Sequence, residues 1–189
     1  MGDNMTNKSD FRKSTIKQLK ENRLKYNNEL KIYKTLFEQS TFKEAKTIAI
    51  TLSMAHEIDT KFIIKYAQML GKQIYIPNCD YKSKVMNFQL FTNFDDLVID
   101  NYGIEAMGFE TEINNEIDLV ITPGVVFNLN GYRIGYGGGY YDRFLSNYNG
   151  ETISLAHEIQ IQEFEQDSYD VPVHKIITEK RIINGVRND

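Results

Sequence analysis

"IDLVITPGVVFNLNGYRIGYGGGYYDRFL", Ile117 to Leu145, decides how the rest of the chain is read. It opens on the apolar run "IDLVITPGVVF", which reads as one buried strand, because continuous Val and Ile need cover on both faces. It then sets four glycines in five positions, Gly135 to Gly139, ahead of the helix-like "DRFLSNY". Strand, glycine loop and helix in this order belong to α/β domains, where ligands gather beyond the carboxyl ends of the strands. Glycine permits positive φ and lets a ligand approach backbone N–H groups with no Cβ between. The first turn of the next helix adds unpaired N–H groups at the same place.

The flanks alternate in the same way. "TIAITLS", "QIYIPN", "KVMNFQLF" (an edge), "TISLAHE" and "HKIITEKRII" read as strands. "TKFIIKYAQML" has helical spacing and ends at Gly71, a C-terminal cap. Ile16, Leu19, Tyr26, Leu30, Tyr33 and Phe37 predict one long helix over 10–38, capped by Ser9 or Asp10. Thr41 and Glu44 have the spacing of a capping box for a further turn. "FDDLV" reads as a short turn or helix, and Gly103 and Gly108 mark a loop. The expected fold is α/β: a single domain over 1–189 with an open, largely parallel sheet and helices on both faces (three-layer α/β/α). Residues 1–7 are expected to be disordered.

Composition bounds the function. The chain has 189 residues, 41% of them hydrophobic, with 12 tyrosines and 11 phenylalanines to fill a core. A net charge of -4 argues against a general nucleic-acid binder. The basic cluster Lys8, Arg12, Lys13, Lys17, Lys20, Arg23 and Lys25 reads by default as a solvated helix face. Cys79 is the single cysteine, so no intrachain disulfide is expected, and a reducing cytoplasm suits the composition. No apolar run reaches the length of a membrane span. The start "MGDNMT" matches a lipidation pattern by its letters, while Met5 offers an alternative start.

The glycine loop fits neither well-known phosphate motif. No Lys-Ser or Lys-Thr follows it, as a P-loop requires, and Tyr140 stands where GxGxxG has its last glycine. The neighbours still suit phosphate, since Arg133 and Arg143 can each offer a forked pair of donors. Asp142 beside an anion site suggests a bridging Mg²⁺, or equally a cap for the helix it opens. Tyr140 and Tyr141 set two aromatic rings beside the loop. The histidines His56, His157 and His174 show no zinc spacing.

The segment "TPGVVFNLNGYRIGYGGGYYDRFL" resembles the signature of the 5-formyltetrahydrofolate cyclo-ligases. The likeness runs from about Lys8 to Glu179 through three further segments. Lys8-Ser9-Asp10-Phe11-Arg12 matches the family's Lys-x-x-Leu-Arg pattern, with phenylalanine for leucine. "LSMAHEIDT" matches its segment after the first strand, and "YDVPVHKIITE" its Asp-Val-Pro segment. The resemblance implies an ATP- and Mg²⁺-dependent ring closure of 5-formyltetrahydrofolate. It implies Lys8 and Arg143 as catalytic groups. Lys8, Arg12, Arg133, Ile134, Gly135, Tyr136, Gly137, Gly138, Gly139, Tyr140, Tyr141 and Arg143 would bind ATP. Leu52, Glu57 and Tyr140 would bind the folate, and Asp142 and Asp170 the metal. On the residues alone, Leu52 reads as core packing at a strand end, and a surface carboxylate is the lesser alternative for Glu57. The chain departs from the family pattern at His56 and Asn128.

Small molecules are the expected partners, with neither nucleic acid nor membrane, and a monomer is expected. Two rivals share the sheet: a sugar-phosphate isomerase or coenzyme A transferase, and a binding protein without catalysis.

Overall fold

The computed structural model describes residues 7–101 and 103–187. The strands are β1 (Thr47–Ile50), β2 (Gln73–Asp80), β3 (Val85–Leu90), β4 (Leu97–Ile99), β5 (Glu105–Met107) and β6 (Leu119–Ile121). After them come β7 (Val126–Phe127), β8 (Arg133–Ile134), β9 (Glu151–Leu155), β10 (Lys175–Ile177) and β11 (Ile182–Asn184). Seven of them form one sheet in the order β11-β10-β9-β6-β1-β2-β3, while β4-β5 and β7-β8 make separate two-stranded ribbons. The five inner strands are parallel, and only the edges β3 and β11 run antiparallel to their neighbours. The expected open, largely parallel sheet is therefore present.

Strand alternation sorts the core into two faces. Ile48, Ile50, Ile74, Ile76, Leu119 and Ile121 point to one side and pack on α2 (Lys25–Glu38), α3 (Ser40–Glu44) and α4 (Thr60–Met69). Ala49, Tyr75 and Val120 point to the other side and meet Leu145 of α5 (Tyr140–Leu145) and Tyr148 beyond it. Helices thus cover both faces. The first helix, α1 (Lys8–Lys20), lies against the β7-β8 ribbon, where Phe11 and Ile16 cover Val125, Val126 and Ile134.

Several local expectations are corrected. The helix predicted over 10–38 is two helices, since Asn22 Oδ1 takes the Leu24 N–H at 3.1 Å in the gap between α1 and α2. An asparagine side chain competes for backbone donors in this way without any Gly or Pro to announce a break. The first cap is Asn7, whose Oδ1 accepts the Asp10 N–H at 3.0 Å, and neither Ser9 nor Asp10. Asn7 is therefore part of the ordered fold; the expectations for residues 1–6 lie outside the described residues. Thr41 makes no capping box, and its hydroxyl is buried without a partner among the described residues. "HKIITEKRII" is the hairpin β10-β11. The apolar run after Ile117 is not one strand either: Pro123-Gly124 divides β6 in the main sheet from β7 in its ribbon.

That division fixes the position of the glycine loop. A Cβ on Gly124 would lie 2.6 Å from Cζ of Phe127, a ring with no exposed surface, and 3.2 Å from Cβ of Arg133. Gly124→Ala is expected to destabilise the fold by about 2 kcal/mol through overpacking, read as a lower thermal midpoint.

Candidate functional site

A cavity of about 740 Å³ opens at the carboxyl ends of β1, β2 and β6. This lies in the upper part of the roughly 300–1,000 Å³ range of small-molecule sites. Its walls come from α1, the segment after β1, the outer half of β2, the β4-β5 ribbon and the whole stretch Arg133–Asp142. The sequence-predicted residues Lys8, Arg12, Leu52, Glu57, Arg133–Asp142 and Asp170 all line it. Arg143 does not.

The loop is bare for definable reasons. Gly137 and Gly139 have φ of +100° and +66°, where side chains are strained. Gly139, and not Asp142, stands at the N-cap of α5, so the capping alternative for Asp142 is corrected. The carboxylate of Asp142 instead accepts Nη2 of Arg133 at 2.9 Å and the Val171 N–H at 3.1 Å, both on Oδ1. Its Oδ2 has no hydrogen bond among the described residues.

Arg133 is 5% exposed and also donates Nη1 to the Val171 carbonyl at 2.7 Å. Burial lowers its pKa, and the charge of Asp142 opposes that effect. It is therefore more a partner of Asp142 than the open fork expected from sequence. Arg143 gives Nη2 to the Gly138 carbonyl at 2.8 Å and Nε to the Lys84 carbonyl at 3.1 Å, with its guanidinium over the Tyr140 ring. It braces the loop from behind.

Lys8 and Arg12 lie one helical turn apart on α1 and face the cavity together. Lys8 Nζ bridges Asp167 Oδ2 and Asp170 Oδ2, each at 2.6 Å. Burial acts against the lysine's charge, but the two carboxylates outweigh it and hold its pKa above the ordinary value. An ammonium has three donors, so one remains for a ligand. Arg12 Nε donates to the Gly135 carbonyl at 2.7 Å and so pins the start of the glycine loop.

At the neighbouring residue the loop meets a carboxylate. Tyr136 donates its hydroxyl to Glu57 Oε1 at 2.8 Å, while Glu57 Oε2 accepts the Met54 N–H at 2.7 Å. Leu52 packs partly into the core and also lines the cavity. Tyr141 has a buried hydroxyl with no partner among the described residues, beside Arg133, and burial raises its pKa strongly. A buried donor left open at a cavity wall suits a ligand oxygen.

Sequence reasoning missed the far wall: Met107 of β5 with Ile104 and Phe109 on either side of that strand, and Tyr81 donating to Asp100 Oδ2 at 2.8 Å. It also missed Cys79, whose thiol burial pushes up to about 11. The ribbon strands have three residues each, too few to show a period. Asn128 serves the fold, because its Oδ1 accepts the Asn130 and Tyr132 N–H groups and shapes the β7-β8 turn. His174 is held by Thr152, and His157 is buried away from the cavity wall.

Among the described residues no three His, Cys, Asp or Glu side chains gather to cage a metal. Magnesium needs no such cage, since it is held by one or two carboxylates together with substrate phosphates and water. The open oxygen of Asp142, with Asp170 on the same wall, fits that requirement.

The chain matches the model of the 5-formyltetrahydrofolate cyclo-ligase family over residues 4–179. It is 31% identical over 149 residues to 5-formyltetrahydrofolate cyclo-ligase of Haemophilus influenzae, covering 71% of this chain and 76% of that one. The Escherichia coli K12 protein of the same name is 30% identical over 148 residues, covering 73% and 80%. Among solved structures, Aquifex aeolicus 5,10-methenyltetrahydrofolate synthetase superposes with a TM-score of 0.81 at 26% identity, covering 96% of this chain and 94% of that one. The chain therefore belongs to the 5-formyltetrahydrofolate cyclo-ligase family and is an enzyme.

Proposed function

We propose that this enzyme converts 5-formyltetrahydrofolate and ATP to 5,10-methenyltetrahydrofolate, ADP and phosphate. The observation that carries the reading lies in two adjacent residues. The Gly135 carbonyl is pinned by the cation Arg12, and Tyr136 is bonded to the acceptor Glu57. On this reading a phosphate-binding end and a pterin-binding end meet on one loop.

In the proposed reaction the formyl oxygen attacks the γ-phosphorus and ADP leaves. The bridge nitrogen N10 then adds to the activated formyl carbon and gives up its proton. The carbon–oxygen bond breaks, and that oxygen departs as part of phosphate. Little covalent chemistry falls to the protein, which positions the groups and neutralises charge. Lys8 and Arg12 face the phosphates, while the loop amides from Ile134 to Tyr141 follow the chain of oxygens. Asp142 and Asp170 would hold Mg²⁺, which would supply positive charge to neutralise phosphate when bound. Tyr141 offers its open hydroxyl to the oxygen in transfer. Arg143 acts through Gly138 and keeps the loop's shape. Leu52 and Tyr140 cover the ring, and ionised Glu57 accepts from the pterin's N–H edge. Ring closure within one bound molecule gains from fixed orientation.

The test follows the near-ultraviolet absorbance of the methenyl product with 5-formyltetrahydrofolate and Mg-ATP. Growth that disappears when ATP, Mg²⁺ or folate is omitted is the expected result; its absence with all three present overturns the proposal. Glu57→Gln is expected to raise the folate KM about tenfold with little change in the ATP KM, because one charged hydrogen bond is lost. Equal changes in both KM values would remove Glu57 from the folate end.

A further inference from the structure

Between Gly135 and Gly139 only residue 136 carries a side chain. Four glycines give this segment a large conformational entropy, so the tie on that side chain adds to the backbone bonds from Arg12 and Arg143. Tyr136 is 47% exposed, so core packing does not explain its place. Its hydroxyl instead reaches across 79 residues of sequence to Glu57 Oε1, and Nε2 of His56 lies 2.8 Å from the same hydroxyl oxygen. The two rings meet edge to face.

Proton counting sets the direction of each bond. Ionised Glu57 only accepts, so the single phenol proton goes to Glu57, and His56 must donate from Nε2. Three groups surround His56 besides the phenol: Glu57 on its own segment, Lys20 ending α1 and Lys25 opening α2. Burial lowers the imidazole pKa, Glu57 opposes that effect, and the two lysines add to it. Any proton it gains enters at Nδ1, so Nε2–H is kept in both states. Lys25 Nζ secures the segment from the other side through the Ala55 carbonyl at 2.7 Å. Each Glu57 oxygen thus has one bond within the protein, and an ionised carboxylate offers about two acceptor sites per oxygen. One site on each oxygen stays open to a ligand with two adjacent N–H donors.

We propose that Tyr136, oriented by His56, is a positioning residue that sets the Glu57 carboxylate for the folate and ties it to the nucleotide loop. This rests on the folate role of Glu57 under the proposed function. The phenol itself need touch neither substrate.

The test is a double-mutant cycle read by calorimetric binding of 5-formyltetrahydrofolate without nucleotide, together with steady-state kinetics. Tyr136→Phe keeps the ring and removes the hydroxyl. It is expected to weaken folate binding about tenfold, the effect of one hydrogen bond to a charged group, with kcat and the ATP KM changed less than about threefold. In a Glu57→Ala background the same substitution is expected to change folate affinity less than about twofold, because nothing is left to position. His56→Gln supplies another N–H donor and should restore much of what His56→Ala loses.

Equal losses from Tyr136→Phe in both backgrounds, or no loss in either, overturn the proposal. Because binding is measured directly, a protein that binds folate without turnover refutes the catalytic reading while the cycle still decides the role of Tyr136. A protein that binds no folate refutes both.

Discussion

Asp142→Asn is expected to fold normally and to lose turnover by about a thousandfold, the upper range for removing one preorganised electrostatic group. The amide oxygen keeps both present bonds, since it can accept Nη2 of Arg133 and the Val171 N–H as Oδ1 does now. What disappears is the negative charge and the open second oxygen. Asp142→Ala goes further, because it removes the acceptor of both buried Arg133 and the Val171 N–H as well as the counter-charge. Breaking a buried ion pair from one side costs roughly 3–5 kcal/mol. The Val171 carbonyl stays bonded to Arg133, and Asp142 is itself partly exposed, so the lower end applies. At about 2–4 °C per kcal/mol for a chain of this size, the thermal midpoint should fall by roughly 10 °C. Calorimetric melting and turnover of the two variants separate the roles: an asparagine variant with full activity would exclude Asp142 from the metal.

Lys8→Met is expected to lower kcat/KM for ATP by about a hundredfold or more, within the range for loss of one charge-stabilising donor. The folate KM should move little, since the bonds of Lys8 go to Asp167 and Asp170 and none goes to Glu57. Methionine preserves the apolar stem and leaves both carboxylates without their shared cation. The pH dependence has a defined sign. The Lys8 pKa is raised above 10.5, so its interaction is complete below that value and is lost only as pH rises past the folded-state value. Lys8 therefore contributes no alkaline limb near neutral pH. A KM effect confined to folate, or an ATP rate profile falling through pH 8 because of Lys8, would contradict this assignment.

The readable parts of the sequence were those where one local rule decides the outcome. The β-rich runs "TIAITLS" and "QIYIPN" read as strands and are β1 and β2 of the main sheet. The glycine loop stands where strand, turn and helix order put it. Competition between local rules was not readable. Asn22 divides a helix whose apolar spacing runs on past it, and Asn7 outcompetes two nearby capping candidates. Pro123-Gly124 sends one apolar run into two sheets, since Gly124 must fit against Phe127.

Contacts between distant segments were least visible of all. Arg133 looked like a phosphate fork, but its bonds go to Asp142 and Val171. Arg143, two residues from the tyrosine pair, turns to Lys84 and Gly138 instead. The link from His56 through Tyr136 to Glu57 joins residues 79 and 80 apart, which no spacing rule could pair. Within the family pattern His56 was only a departure; in the fold it holds a hydroxyl in place.

The central claim is that this cavity turns the formyl oxygen into part of a phosphate leaving group, and oxygen labelling tests it most directly. 5-Formyltetrahydrofolate carrying ¹⁸O in its formyl group is turned over with unlabelled Mg-ATP, and the released phosphate is examined by mass spectrometry. One ¹⁸O in each phosphate, in step with methenyl product, is the predicted result. Methenyl product accompanied by unlabelled phosphate, with the label in water, would contradict it.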